Sequence, residues 1–220
     1  MKRVFVLLSL VLVLFFSLDA RSEEPSIASK ISLFIQQWPQ TWYPEGAGPE
    51  TAEERDLRLT GMGPVVETVA LSNESSFHPK DAAALITTVW GFESRFDYWV
   101  HAGGGTSPIG HQDNGKAKCL GQIQTWKGNP HLPTSADHEA LVGLDAEATE
   151  RCARVTLAYF WAHAQRCLRV QRPVERRWTE PLADYEVAIL MASYGSGRCG
   201  EVARRHKNRA YTFRKLRKQL

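Results

Sequence analysis

The chain has 220 residues, 43% of them hydrophobic, with 27 Lys and Arg against 24 Asp and Glu. That length suits one domain with extensions and a substantial core, while a formal charge of +3 is too small to identify a partner by itself. The spacing of the four cysteines excludes paired C-x-x-C zinc sites, and no segment beyond residue 20 is apolar enough to span a bilayer.

Lys2 and Arg3 precede an apolar stretch over residues 4–18 interrupted only by Ser9 and Ser17, and Asp19 and Ala20 lead into a polar exit. This is the layout of a secretory signal peptide over 1–20, cleaved after Ala20. The expected location is therefore outside the cytoplasm, periplasmic or secreted. Residues 21–64 read as an amphipathic helix followed by a linker. Ile27, Ile31, Phe34, Ile35 and Trp38 fall at helical spacing until Pro39 stops the pattern, and 39–64 mixes Pro and Gly with Glu50, Glu53, Glu54 and Asp56.

The main domain is expected over 65–200. A short helix over 65–71 and a turn lead to a second helix that Asp81 caps, that residues 82–92 propagate and that Glu93 and Ser94 close. Residues 97–131 are turn-rich, with room for small strands around 119–125. In the third helix Ala148, Cys152, Val155, Tyr159 and Ala162 mark one face. In the fourth Val187, Leu190, Met191 and Tyr194 do so, and Gly195 and Gly197 end it. The fold class is α+β, predominantly α, with a small sheet lobe beside one central helix and an N-terminal helical extension.

Residues 201–220 form a basic tail. Over the last 23 residues, Arg198, Arg204, Arg205, Lys207, Arg209, Arg214, Lys215, Arg217 and Lys218 stand against the single acid Glu201. Such a segment is either a solvated terminus or an attractor for polyanions. For an exported protein those are an anionic wall polymer or a membrane surface, and nucleic acid is not expected.

Cys119, Cys152, Cys167 and Cys199 lie in the exported part, where pairing is the default. A helix running between Cys152 and Cys167 would hold those two about 22 Å apart, beyond disulfide reach. Two connectivities survive: Cys119 to Cys152 with Cys167 to Cys199, or Cys119 to Cys167 with Cys152 to Cys199.

Glu93 ends a helix containing Leu85, Ile86, Val89, Trp90 and Phe92, and Phe96 follows. A carboxyl among apolar neighbours is poorly solvated when ionised, which suits it to hold a proton and deliver it to a glycosidic oxygen. Three segments then occur in one order: Glu93-Ser94-Arg95-Phe96-Asp97, Leu120-Gly121-Gln122-Ile123-Gln124 and Ser193-Tyr194-Gly195-Ser196-Gly197. Together they resemble the soluble lytic transglycosylase family, whose motifs are E-S-x-F, G-L-M-Q-I and A-Y-N-A-G, over roughly residues 65–200.

The resemblance implies a lysozyme-like domain that binds peptidoglycan glycan strands and needs no cofactor or metal. Glu93 would be the acid/base and Ser94 its neighbour lining the cleft. Gln122 would contact glycan with Ile123 beside it, and Tyr194 would stand near the acid. Cys119 and Gly121 depart from the second motif, and Gly195 and Ser196 from the third. The loop between the first two motifs is long and holds His101, Gly103, Gly104, Gly105, His111 and Asp113. It is a candidate lid or added subsite, and its histidines read as solvent-facing rather than metal ligands.

The chemistry implied uses Glu93 twice, first as proton donor to the bridging oxygen, then as acceptor from the sugar's own hydroxyl, leaving a 1,6-anhydro ring. A lysozyme-type hydrolase would bring a second carboxylate. Asp97 and Asp113 are the candidates, with Asp97 reading as a cap or turn residue. A third alternative is a non-catalytic module that binds peptidoglycan. No H-E-x-x-H, G-x-S-x-G or G-x-G-x-x-G pattern supports metal, serine or nucleotide chemistry.

Overall fold

The computed structural model describes residues 24–39, 49–72, 76–103, 117–124, 135–168, 180–199 and 204–220. Residues 1–23, with the expected signal peptide, residues 104–116, with His111 and Asp113, and residues 40–48 lie outside them. Among the described residues the protein is mostly helical with one two-stranded sheet, and no helix is long and apolar enough to cross a membrane.

Helix α1, Ile27–Gln36, starts at Ser26, whose hydroxyl accepts from Ser29 N, and buries Ile31 and Ile35. The next helix corrects the linker expectation. α2 runs over Ala52–Leu71, straight through Gly61, Gly63 and Pro64. Thr51 and Glu54 form a capping box at its start, satisfying two amides that a helix N-terminus leaves open. Leu59, Met62, Val66 and Val69 then give it a buried face.

Two of these apparent breakers serve the packing of α1. A Cβ at position 63 would lie 2.2 Å from Ser32 Oγ and 2.3 Å from the Ala28 carbonyl, so glycine allows the close approach. Pro64 has no N–H to give the carbonyl of Thr60, and Ser32 Oγ donates to that oxygen at 2.8 Å. Gln36 Nε2 donates to Asp56 Oδ1 and Thr60 Oγ1, and Ala28 N to Glu67 Oε1. These bonds pair the two helices antiparallel.

Helix α3, Pro79–Ser94, is buried through residues 81–91, the pattern of a helix enclosed on all sides. Its N-cap is His78 with Pro79 in the first turn, and Asp81 is not the cap. The Asp81 carboxylate is buried and accepts from Leu182 N at 2.6 Å and from Arg217 Nη1 at 3.3 Å. Burial pushes this carboxyl up from its ordinary range, against those donors. After the short α4, Tyr98–Ala102, strands β1 (Ala117–Lys118) and β2 (Ile123–Gln124) pair antiparallel, Lys118 opposite Ile123.

Beyond the five-residue α5, Ser135–Glu139, the long α6 spans Ala146–Leu168. Its buried side is Cys152, Ala153, Thr156, Phe160, Ala164 and Cys167. Val155, Tyr159 and Ala162 are only half-buried, so the face is rotated from the one read in the sequence. Helix α7, Asp184–Ser196, buries Val187, Leu190, Met191 and Tyr194 as expected and ends at left-handed Gly197.

Disulfides join Cys119 to Cys152 and Cys167 to Cys199. That is one of the two pairings left open by spacing. The first bridge ties the β1–β2 turn to α6, and the second ties the end of α6 to the end of α7.

The basic segment is also corrected. It forms helix α8, Arg204–Gln219, and His206, Ala210, Phe213 and Leu216 are buried along one side, with Leu220 behind them. α8 packs on α3 and α7, so it belongs to the core rather than fraying from it. Arg217 donates to the Leu182 carbonyl and to Asp81, and lies over the Phe213 ring.

Candidate active site

Glu93 occupies the last turn of α3, where the helix emerges from the core. Ser94 behind it is buried. Its hydroxyl donates to the Trp90 carbonyl at 2.7 Å and accepts from Phe96 N at 3.1 Å. In this structure Ser94 therefore closes the helix end, and its hydroxyl is engaged by backbone.

Arg95 and Phe96 both adopt positive φ, 53° and 54°, a region costly for side chains of this kind. Two devices hold the turn. Phe96 is fully buried, and Arg58 from α2 donates to the Phe96 carbonyl at 3.0 Å while its other N–H groups grip Glu50. Asp97 Oδ1 accepts from Trp99 N and Val100 N, capping α4, the role its position suggested.

The second motif is the β1–β2 turn, and it carries the other two positive-φ residues other than glycine among those described, Cys119 at 54° and Gln122 at 49°. Gln122 is half-buried, and its Nε2 donates to the Cys119 carbonyl. Ile123 lies in the core. Tyr194 Oη, arriving from α7, donates to the Gly121 carbonyl at 2.7 Å. A Cβ at Gly121 would stand 2.6 Å from Thr156 Oγ1 and 3.1 Å from Tyr194 Oη. The methionine of the resembled motif has no room there. Thr156 in turn accepts from Trp90 Nε1 and donates to the Cys152 carbonyl. Helices α3, α6 and α7 and the turn thus converge through one set of hydrogen bonds.

The electrostatics place Glu93 in the same neighbourhood. Burial first, then the charge of Glu93, pushes the Tyr194 phenol well above its ordinary value. Burial raises Tyr159 too, with Arg166 opposing and Glu93 adding to the rise. Both phenols stay protonated donors at neutral pH. Their rings meet edge to face, centroids 5.0 Å apart. Tyr194 stands with the Gly121 turn and near Glu93, while Ser94, Ile123 and the Tyr194 hydroxyl are committed to the framework.

The residue missed by the sequence reading is Arg209. Its Nη1 donates to Glu93 Oε1 at 2.5 Å, with 14% of the Arg209 side chain and 22% of the Glu93 side chain exposed. The guanidinium carbon lies 5.5 Å from the Phe92 ring centroid. Gly195 makes the space, since a Cβ there would come within 2.8 Å of His206 Cε1 and 3.1 Å of Arg209 Nη1. The surroundings of Glu93 are therefore not purely apolar, because a cation faces it from α8. The signal was present as the spacing of His206, Ala210, Phe213 and Leu216, masked by the density of charge around it.

His101 is not solvent-facing. It is buried, its Nε2 shares a hydrogen bond with Thr149 Oγ1 at 2.8 Å, and burial pulls it from 6.5 to about 3. Among the described residues no three His, Cys, Asp or Glu side chains gather as a metal site would require.

No protein-family model matches this chain, and no curated protein or solved structure matches it.

Proposed function

We propose that this protein is an exported lytic transglycosylase with a lysozyme-like domain, cleaving the β-1,4 bond between N-acetylmuramic acid and N-acetylglucosamine in peptidoglycan. The observation that carries the reading is the position of Glu93. It is a part-exposed carboxylate at the end of an otherwise buried helix, beside a strained turn, in one neighbourhood with Tyr159 and Tyr194. Strained backbone held by its surroundings is a feature of functional sites.

Protonated Glu93 gives its proton to the bridging oxygen as the bond from the anomeric carbon breaks. The carboxylate then takes the proton of the sugar's 6-hydroxyl as that oxygen closes on the anomeric carbon. No water is consumed, and Glu93 ends as it began. A hydrolase would need a second carboxylate to activate water or form a covalent intermediate. Of the two candidates for that role, Asp97 is occupied as a cap, and Asp113 lies outside the described residues.

Two disulfides are at home in an oxidising compartment, which supports export. The outer face of α8 presents Lys207, Lys215 and Lys218 with Tyr211, a surface suited to an anionic wall polymer or membrane.

One observation favours a second reading. The ion pair of Glu93 with Arg209 occupies the carboxylate, as a peptidoglycan-binding module without catalysis would allow. Digestion of purified sacculi followed by mass spectrometry decides. Anhydro-ended fragments that vanish in Glu93→Gln support transglycosylation, reducing ends support hydrolysis, and retention without release supports binding alone.

A further inference from the structure

We infer that Arg209 is a binding residue for a substrate carboxylate, occupied by Glu93 until an anionic glycan displaces it. The inference rests on the transglycosylase reading for its substrate class, but its geometry is independent of cleavage. Arg209 makes one hydrogen bond among the described residues, from Nη1 to Glu93 Oε1. A guanidinium carries five N–H donors in a planar fork suited to gripping a carboxylate with two of them. Among the described residues the Nε and Nη2 edge of Arg209 meets no protein acceptor. Stacking over Phe92 and the close approach at Gly195 hold the group beside Glu93, where both partners keep some exposure.

The charge logic points the same way. A general acid must present its own carboxyl to the leaving oxygen, and the Glu93 carboxyl is engaged by Arg209. The pair must therefore open before Glu93 can act. Separating it outright would strand a part-buried cation, whereas exchange of one carboxylate for another keeps Arg209 paired and releases Glu93. Among the described residues, Tyr159 from α6, Tyr194 from α7 and His206 from α8 stand near the pair. Both phenols remain neutral at ordinary pH, so neither supplies a replacement anion.

Peptidoglycan offers carboxylates from two sources, the lactyl group of muramic acid once its peptide is removed, and the stem peptide itself. A neutral N-acetylglucosamine polymer offers none. Arg209 thereby becomes a specificity determinant that ties release of the acid to the presence of an acidic substrate.

The test is calorimetric binding to Glu93→Gln protein, which removes the internal competitor and the acid together. The ligands are neutral chitotetraose, a peptide-free tetrasaccharide of alternating N-acetylglucosamine and N-acetylmuramic acid, and the same tetrasaccharide bearing stem peptides. Adding Arg209→Gln should weaken at least one carboxylate ligand about ten-fold, the worth of a hydrogen bond to a charged group, and leave chitotetraose within about two-fold. The ligand that weakens identifies the source of the carboxylate. Arg209→Lys, which keeps charge without the fork, should fall between.

Equal losses for all three ligands, or none, would overturn the inference, and thermal melts of each variant separate misfolding from lost contact. Cleavage of sacculi by the wild-type protein reports on the enzyme reading alone. Absent cleavage with ligand-selective loss at Arg209 sinks the transglycosylase and leaves the carboxylate site standing.

Discussion

Tyr194 donates its hydroxyl to the carbonyl of Gly121 across 73 residues of sequence, at 2.7 Å and in a buried position. The bond locks the end of α7 to the turn that carries Gln122, with Thr156 on α6 filling the remaining space against Gly121. It converts the proximity of two motifs into a fixed register.

Tyr194→Phe keeps the ring and its packing on Phe160 but leaves the Gly121 carbonyl without its donor. A buried acceptor stripped of its partner costs about 1–3 kcal/mol. Urea denaturation should show that loss, and on the proposed transglycosylase reading release of anhydro-ended fragments should fall more than stability alone accounts for. An unchanged midpoint would mean that the bond is dispensable.

The α1–α2 pair has a comparable single point of dependence. Ser32→Ala removes the donor to Thr60 O, the acceptor that Pro64 leaves open, and should lower stability by about 1–3 kcal/mol. Pro64→Ala restores the helical N–H, so in that background the same serine change should cost much less. A double-mutant cycle in urea measures the difference.

Each disulfide closes a loop of similar length, with sequence separations of 33 and 32. Loop entropy assigns about 4 kcal/mol to each, so the two alanine double variants should melt at similarly reduced temperatures. Their effects on function should differ. Removing Cys119 and Cys152 frees the turn bearing Gln122 and, on the proposed reading, should reduce sacculus digestion more than removing Cys167 and Cys199.

His101 makes stability depend on acid. Its folded value of about 3 lies below the ordinary 6.5 because of burial. The unfolded chain therefore binds a proton that the folded one refuses between those limits. Stability contributed by the neutral ring is complete above pH 6.5 and drains as pH falls, by about 1.4 kcal/mol per unit from this group. His101→Gln, which does not titrate, should show a shallower loss between pH 6.5 and about pH 4.5 in urea titrations. Equal slopes would assign the acid sensitivity elsewhere.

Where local pattern decides structure, the sequence was legible. The helix ending at Ser94, the buried face of α7, the Asp97 cap and the strands beside Cys119 follow from periodicity, capping and turn chemistry. The α2 helix was not legible, because Gly63 and Pro64 break a helix considered alone. Only the approach of α1, with Ser32 supplying the missing donor, makes them acceptable.

The sequence by itself determined that a carboxylate would end a buried helix, that a glutamine and a tyrosine would follow in that order, and that the cysteines had two ways to pair. Tertiary structure alone chose the pairing, turned α6 on its axis, folded the basic segment into the core and set Arg209 against Glu93 across 116 residues. The physical reason is the range of the forces. Caps and periodicity act within a turn or two of helix, whereas an ion pair between α3 and α8 exists only once burial of Phe213 and Leu216 has brought the two helices together.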